Sequence, residues 1–416
     1  MRRSQAFRPI AQGAAAAVAV LAASALSARA DEHMVLVDKI DVGGNGLGTF
    51  DISFVDPTID LYVLADRTNA SVDFVDASDD TFIGRVPGFA GQLVNPDGTA
   101  NNAASGPDGV VIVNHKEVWA GDGDSTVKVI DIATHMITDT VSTGGKLRCD
   151  EMAWDSADHI LAVANNADTP PFVTFISTDS PHTVLGKIVF DGTNGTPNAT
   201  TTGIEQPQWS PKTGLFYVSV PQFQPSDATI GAVTAIDPRK QSVVANFQVQ
   251  NCSPAGLTLG PRYDALIGCS ASFGTSPNVL TQSIVIDIRN GDTRTIPNVG
   301  GSDEVWYDKG TGHYYLAARN NEDNTGKKVP ILGTVDAHTL MFDGGTPDST
   351  TAHSVAADRI SHHVFVPQGF IPPGGAADPT NPCPGPATTP GSPNGCIAVY
   401  VPSSIDDDDA GRQAAR

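Results

Sequence analysis

Five acidic residues, Asp51, Asp108, Asp150, Glu205 and Asp303, recur with a repeat on the order of 45 to 65 residues, Ala255 taking the place between the last two, and each lies close to the start of a short apolar run. Two of them are doubled, as Asp150-Glu151 and Asp303-Glu304, and at the corresponding place near the C-terminus stands His353. Carboxylates drawn together repel one another, so such a set needs counter-charge: retained protons, Arg or Lys partners, or a metal cation. Arg67, Lys146, Arg148 and Arg319 lie near enough in sequence to serve as organic partners. A hard divalent cation is the alternative, because it takes six to eight oxygen ligands. Ca2+ is the expected ion for Asp150, Glu151, Glu205, Asp303 and Glu304, and inclusion of His353 opens the set to Zn2+ or Mn2+. The competing explanation is local, since an Asp ahead of a strand can simply accept turn N–H groups. Glu151 and Glu304 do not fit that role as readily.

These residues converge only if the chain repeats. A segment of apolar-x-apolar-apolar-Asp type recurs as Val72-Asp73-Phe74-Val75-Asp76, Val127-Lys128-Val129-Ile130-Asp131, Val233-Thr234-Ala235-Ile236-Asp237, Ile284-Val285-Ile286-Asp287 and Leu332-Gly333-Thr334-Val335-Asp336. Degenerate copies occupy residues 173–177 and 397–401. Upstream of each copy lie two more short runs with period-two alternation, which marks strands and not helices. The innermost strands are expected to start near Asp51, Asp108, Asp150, Glu205, Ala255, Asp303 and His353, and the second strands at residues 61–65, 118–121, 160–164, 216–220, 266–269, 314–318 and 364–367. The fold expected is all-β, a seven-bladed β-propeller of four-stranded blades. The seventh unit ends after its third strand, so the N-terminal run Met34-Val35-Leu36-Val37-Asp38-Lys39-Ile40 is expected to complete it and close the ring.

With those motifs in place the chain resembles the secreted seven-bladed propellers of the YVTN-repeat class, relatives of the lactonase-like propellers, from Met34 to about Val401. The resemblance implies architecture strongly and chemistry weakly, since function resides in a site and not in a fold. Gluconolactonase-type propellers hold one cation with a Glu, an Asn and an Asp from separate blades. Carried over by position, those parts fall to Glu151 or Glu205, to Asn165 or Asn166, and to Asp303.

In such a ring, loops from the second to the third strand open on the same face as the inner-strand starts. They bring Asp66, Asp122, Asp124, Asn165, Asn166, Asp168, Gln222, Arg319, Asn320 and Gln368 toward it. Asp51, Asp108, Asn165, Asn166, Gln222, Arg319 and Asn320 are the candidates for binding a small polar ligand, and Glu205 and Asp303 are the candidates for catalysis. Three functions fit: a propeller binding a divalent cation and a small polar ligand, a cation-dependent hydrolase of lactones or related esters, and a non-catalytic module docking an exported protein. Cation-assisted hydrolysis would polarise the carbonyl and activate a water, with a ring carboxylate taking the proton. The insertions at residues 222–229, 271–280 and 369–394 are long enough to cover the face. The sequence has no haem-attachment motif, no phosphate-binding Gly-Lys loop and no Gly-x-Ser-x-Gly turn, so neither haem nor nucleotide is expected.

Charge and cysteines place these expectations in a compartment. Asp and Glu number 46 against 25 Lys and Arg, and only 17% of residues are charged, which describes an acidic globular chain that repels nucleic acid and anionic lipid. Arg2, Arg3 and Arg8 precede an apolar stretch at residues 14–26, and Ala28-Arg29-Ala30 offers a cleavage pattern. Residues 1–30 are therefore expected to be a signal peptide, 31–402 the propeller and 403–416 an acidic disordered tail, in a monomer in the periplasm or medium with no membrane span. Of the five cysteines, Cys383–Cys396 would close a Pro/Gly-rich loop, Cys252–Cys269 would join neighbouring strands, and Cys149 would stay single. Cleavage after Ala30 would expose Asp31-Glu32-His33, a sequence able to wrap Cu2+ or Ni2+.

Overall fold

The Asp that ends each repeat is a turn acceptor. In a computed structural model describing residues 33–270, 282–323, 325–371, 375–385 and 394–405, Asp76, Asp237, Asp287 and Asp336 each accept the N–H two residues on, and Asp131 accepts that of Thr134. Four residues past these aspartates the backbone is left-handed, at Asp80, His135, Gln241, Gly291 and Leu340 (φ 58°, 55°, 50°, 81° and 56°). The turn thus reverses the chain into a fourth strand, and in four of these five blades that strand carries a bulge opposite the third. The signal peptide, the copper-binding run Asp31-Glu32-His33, the acidic tail and the 271–280 insertion lie wholly or partly outside the described residues.

Among the described residues twenty-eight strands assemble into seven antiparallel sheets of four. The chain is a seven-bladed β-propeller. Six blades are built from consecutive strands, and the seventh runs in the order Met34–Ile40, Cys396–Pro402, Val364–Gln368, Ala356–Ala357. The N-terminal strand pairs with the last strand from Met34↔Pro402 to Ile40↔Ile397, so the ring is closed by covering two edges that would otherwise be exposed.

The inner strands are Ser53–Asp56, Val110–Val113, Met152–Asp155, Pro207–Ser210, Pro254–Leu259, Val305–Asp308 and Ala356–Ala357. In five blades the ladder starts two residues after the acid expected to open it. The acid still belongs to the blade, because the N–H groups of Asp51, Asp108, Asp150 and Glu205 bond the carbonyls of Ala65, Gly121, Ala164 and Ser219. Apolar side chains fill the gaps between blades: Val173 and Phe175 of the third meet Phe216, Val218 and Ala232 of the fourth. Inner strands pack closely enough that a Cβ on Gly109 or Gly256 would lie 2.2 Å from the carbonyl oxygen of Asp150 or Asp303 in the next blade. Cys252–Cys269 and Cys383–Cys396 are disulfide-bonded, and Cys149 is buried and free. Among the described residues no helix is long and apolar enough to cross a membrane.

Candidate functional site

Polar side chains, all acids except Gln206, stand in two tiers around the channel mouth. Asp51, Asp108, Asp150, Glu205 and Asp303 form the outer tier by register. The next residue of three blades forms the inner one, where the carbonyls of Glu151, Gln206 and Glu304 accept the N–H groups of Ala164, Ser219 and Ala317. A cavity of about 500 Å3 opens on this face. Six carboxylates line it (Asp51, Asp150, Glu151, Glu205, Asp303 and Glu304) against three guanidinium groups (Arg67, Arg148 and Arg319), a formal excess of three negative charges.

The counter-charge is distributed unevenly. Arg67 is buried and bridges Asp51 and Asp108. Arg148 lies 3.3 Å from Asp51, 3.4 Å from Asp108 and 2.9 Å from Asp150. His353 adds to this side: its Nε2 is 3.5 Å from Asp51, its Nδ1 donates to the Thr351 carbonyl at 2.9 Å, and its ring stacks on Phe50 at 4.5 Å. Burial pushes the Asp51 carboxyl up, but Arg67, the His353 hydrogen bond and Arg148 together hold it well below the ordinary range. Burial prevails at Asp108, whose carboxyl is raised and whose Oδ2 has no hydrogen-bond partner. At Asp150 burial also outweighs Arg148, and the group is pushed up to about 6.

The opposite side has little compensation. Oxygens of Asp150, Glu151 and Glu205 lie within 4.8 Å of one another. Withdrawal from solvent comes first, and neighbouring carboxylates add to it, in raising Glu151, Glu205 and Glu304 well above the ordinary glutamate value. Glu151 Oε2 is buried without a hydrogen-bond partner, while Glu304 accepts the side-chain amide of Gln206 at 2.9 Å. Asp303 sits at the rim, paired with Arg319 at 2.6 Å.

The other candidates do not line the cavity. Asn166 donates to Asp150 at 2.5 Å. Asn165 is buried between blades, donating to Ser125 and Thr143 of blade two and accepting from Thr174 of its own blade. Gln222 donates to the Gln224 carbonyl, and Asn320 accepts from Lys328 at 2.9 Å; neither lines the cavity. Asp66, Asp122, Asp168 and Gln368 bond Asn69, Lys128, the Lys146 N–H and Asp348 respectively. Cys149 donates to the Thr126 carbonyl, and burial pushes its thiol up, away from reactivity.

Gln206 escapes the sequence reading although its register marks it, one residue after a ring acid as Glu151 and Glu304 are. Its side-chain oxygen accepts the Leu257 N–H at 2.5 Å, which ties blade four to blade five beneath the cavity. Thr49, Gln92, Asn102, Thr350 and Thr351 also line the mouth, from loops whose course the repeat does not specify.

No protein-family model matches the chain, and no curated protein matches it. Among solved structures, a chain of the "Crystal Structure of Mitotic Checkpoint Complex" is similar to it with a TM-score of 0.56 and 11% identity, over 96% of this chain and 98% of that one. Likeness at that identity shows the fold alone.

Proposed function

We propose that this propeller is exported and binds a divalent cation, Ca2+ by preference, together with a small polar ligand at the mouth of its channel. The observation that carries the reading is the Asp150–Glu151–Glu205 cluster, whose oxygens lie within 4.8 Å while one oxygen of buried Glu151 has no hydrogen-bond partner. An all-oxygen donor set of this kind suits a hard cation, and a bound ion would neutralise the charge that Arg67 and Arg148 leave over. Glu304 and the rim residue Asp303 complete the set. His353 then belongs to the ligand's surroundings, because its Nε2 faces Asp51. Asp51 acts as the fixed, arginine-bound wall with the fully buried Asp108 behind it, Asn166 holds Asp150, and Arg319 and the mouth threonines supply hydrogen bonds to a polar ligand. The two disulfides agree with an oxidising compartment.

The test is calorimetric titration of Ca2+ into metal-free protein, with the variant Glu151→Gln/Glu205→Gln beside it. The expected result is saturable one-site binding that weakens at least about tenfold in the variant, since each substitution removes a charged ligand. Absence of saturable binding in the parent overturns the reading.

A hydrolytic reading is favoured by one observation, the volume of about 500 Å3 adjoining these carboxylates, which accommodates a small lactone or ester. It requires Ca2+-dependent turnover that Glu205→Gln or Asp303→Asn abolishes in folded protein. Without turnover on a lactone and ester panel, the site is a binding site, and docking of an exported protein partner on the same face is the next assay.

A further inference from the structure

Blade six departs from the repeat at its far end, one strand-length from the mouth. His313 opens the second strand (His313–Ala318) and stands directly opposite Asp336, the repeat's terminal Asp on the third strand (Ile331–Asp336). Residues directly opposite in an antiparallel ladder share a face. The fourth strand (Met341–Pro347) pairs Phe342 with Val335 and Gly344 with Thr334, so Asp343 is the extra residue of the bulge. A bulge re-aims the side chain at that position.

Other blades put different residues at the same stations. The bulge position holds Ile83 in blade one, Thr138 in blade two and Val244 in blade four, and Ile83 and Val244 are exposed. The position opposite the terminal Asp holds Leu61, Glu117 or Asp264, and in blade five the resulting pair of acids is matched by Arg262 and Arg289. In blade six an imidazole and a second carboxylate occupy both stations together.

We propose that His313, Asp336 and Asp343 form a second metal site, selective for a borderline divalent ion of the Zn2+ class. Ligand atoms of the three lie within 4.8 Å of one another, and His313 Nε2 is 3.2 Å from Asp343. His313 is 4% exposed, and its Nε2, the ring nitrogen that faces Asp343, is the ligating atom, while the buried Nδ1 has no hydrogen-bond partner. The turn N–H groups of His338 and Thr339, both 2.8 Å from Asp336, hold that carboxylate in place. One imidazole and two carboxylates leave a fourth tetrahedral position to water. Nitrogen in the donor set separates this site from the all-oxygen cluster at the mouth, because imidazole suits Zn2+ and Co2+ and adds nothing for Ca2+.

The site is tested by titrating Co2+ into metal-free protein in the presence of excess Ca2+, reading the visible d–d absorption and its loss on adding Zn2+. One equivalent of Zn2+-displaceable absorption is expected. It should persist in Glu151→Gln/Glu205→Gln and weaken at least about tenfold in affinity in Asp343→Asn and in His313→Gln. Asp343 is partly exposed in the fourth strand, so its variant keeps the fold, which circular dichroism verifies; in the parent, a shift of the His313 ring resonances on Zn2+ addition is an independent readout. Absorption that is absent, or unchanged in both variants, overturns the proposal. Failure of Ca2+ binding at the mouth leaves these outcomes unaffected.

Discussion

Arg148 Nη2 lies 2.9 Å from Asp150 Oδ2, two residues along the chain, and the same guanidinium reaches Asp51 and Asp108 from two other blades at 3.3 Å and 3.4 Å. One side chain thus ties three blades at the mouth. Together with Arg67 it places the counter-charge on the side of Asp51, Asp108 and Asp150, and Glu151 and Glu304 have no arginine within ion-pair distance among the described residues.

Removing Arg67 should leave two buried carboxylates with no arginine contact but the longer ones to Arg148. Its side chain is 8% exposed, and both its partners, Asp51 and Asp108, are largely or wholly withdrawn from water. Breaking a buried pair from one side costs about 3–5 kcal/mol. Arg67→Ala is expected to lose that much in urea unfolding; a loss below about 1 kcal/mol would show the pair to be solvated.

Gln206 spans two blades beneath the cavity. Gln206→Ala leaves the Leu257 N–H and one Glu304 oxygen without their partner, a loss of about 1–3 kcal/mol per stranded group. Because Glu304 also loses its orientation, Ca2+ affinity should fall. Unchanged affinity in the folded variant would remove Glu304 from the ligand set.

The Cys383–Cys396 bridge closes a loop with a sequence separation of 13. For loops of that length the entropic contribution is about 3 kcal/mol. Cys383→Ser/Cys396→Ser should unfold at correspondingly lower denaturant concentration than the parent under oxidising conditions, and the difference should vanish when both are reduced.

Asp348 should make stability fall as pH rises. Burial pushes its carboxyl up to about 7 from 3.8, against the lowering effect of the Ser349 N–H and the Gln368 amide. Above the unfolded value the unfolded chain releases this proton while the folded chain keeps it, so the contribution is full below pH 3.8 and is lost as pH rises toward 7. Asp348→Asn, which keeps the accepting oxygen, should gain relative to the parent across that window. A difference in Tm that does not vary with pH between 4 and 8 would contradict the assignment.

His363 acts in the same direction at higher pH. Its hydrogen bond to Asp80 across the blade-seven to blade-one seam, at 2.9 Å, comes first in raising its pKa above 6.5, with burial opposing and Asp358 and Asp38 contributing charge. The stabilisation is therefore full below pH 6.5 and is lost as pH rises through the raised folded value. His363→Phe should abolish that slope while leaving stability at high pH nearly unchanged.

The sequence by itself determines the blades, because strand alternation, the turn-capping aspartates and the acid ahead of five of the inner strands are local patterns repeated along the chain. The unit count, the N-terminal closure and the Cys252–Cys269 disulfide follow from that repetition, since each repeat places its neighbours, and Cys383–Cys396 follows from the Pro/Gly-rich loop it closes. The convergence of Asp150, Glu151 and Glu205 is legible for the same reason. Side-chain partnership across blades is not. Arg67 meets Asp108 over a separation of 41 residues and Arg148 meets Asp51 over 97, from loops outside the repeat, so only packing decides which carboxylates are neutralised. The same holds for Asn165, drawn into the interior by Ser125 and Thr143, and for Asp343, re-aimed by a bulge. Backbone hydrogen bonds obey local periodicity, whereas a charge takes its partner from whatever the closed ring brings within reach.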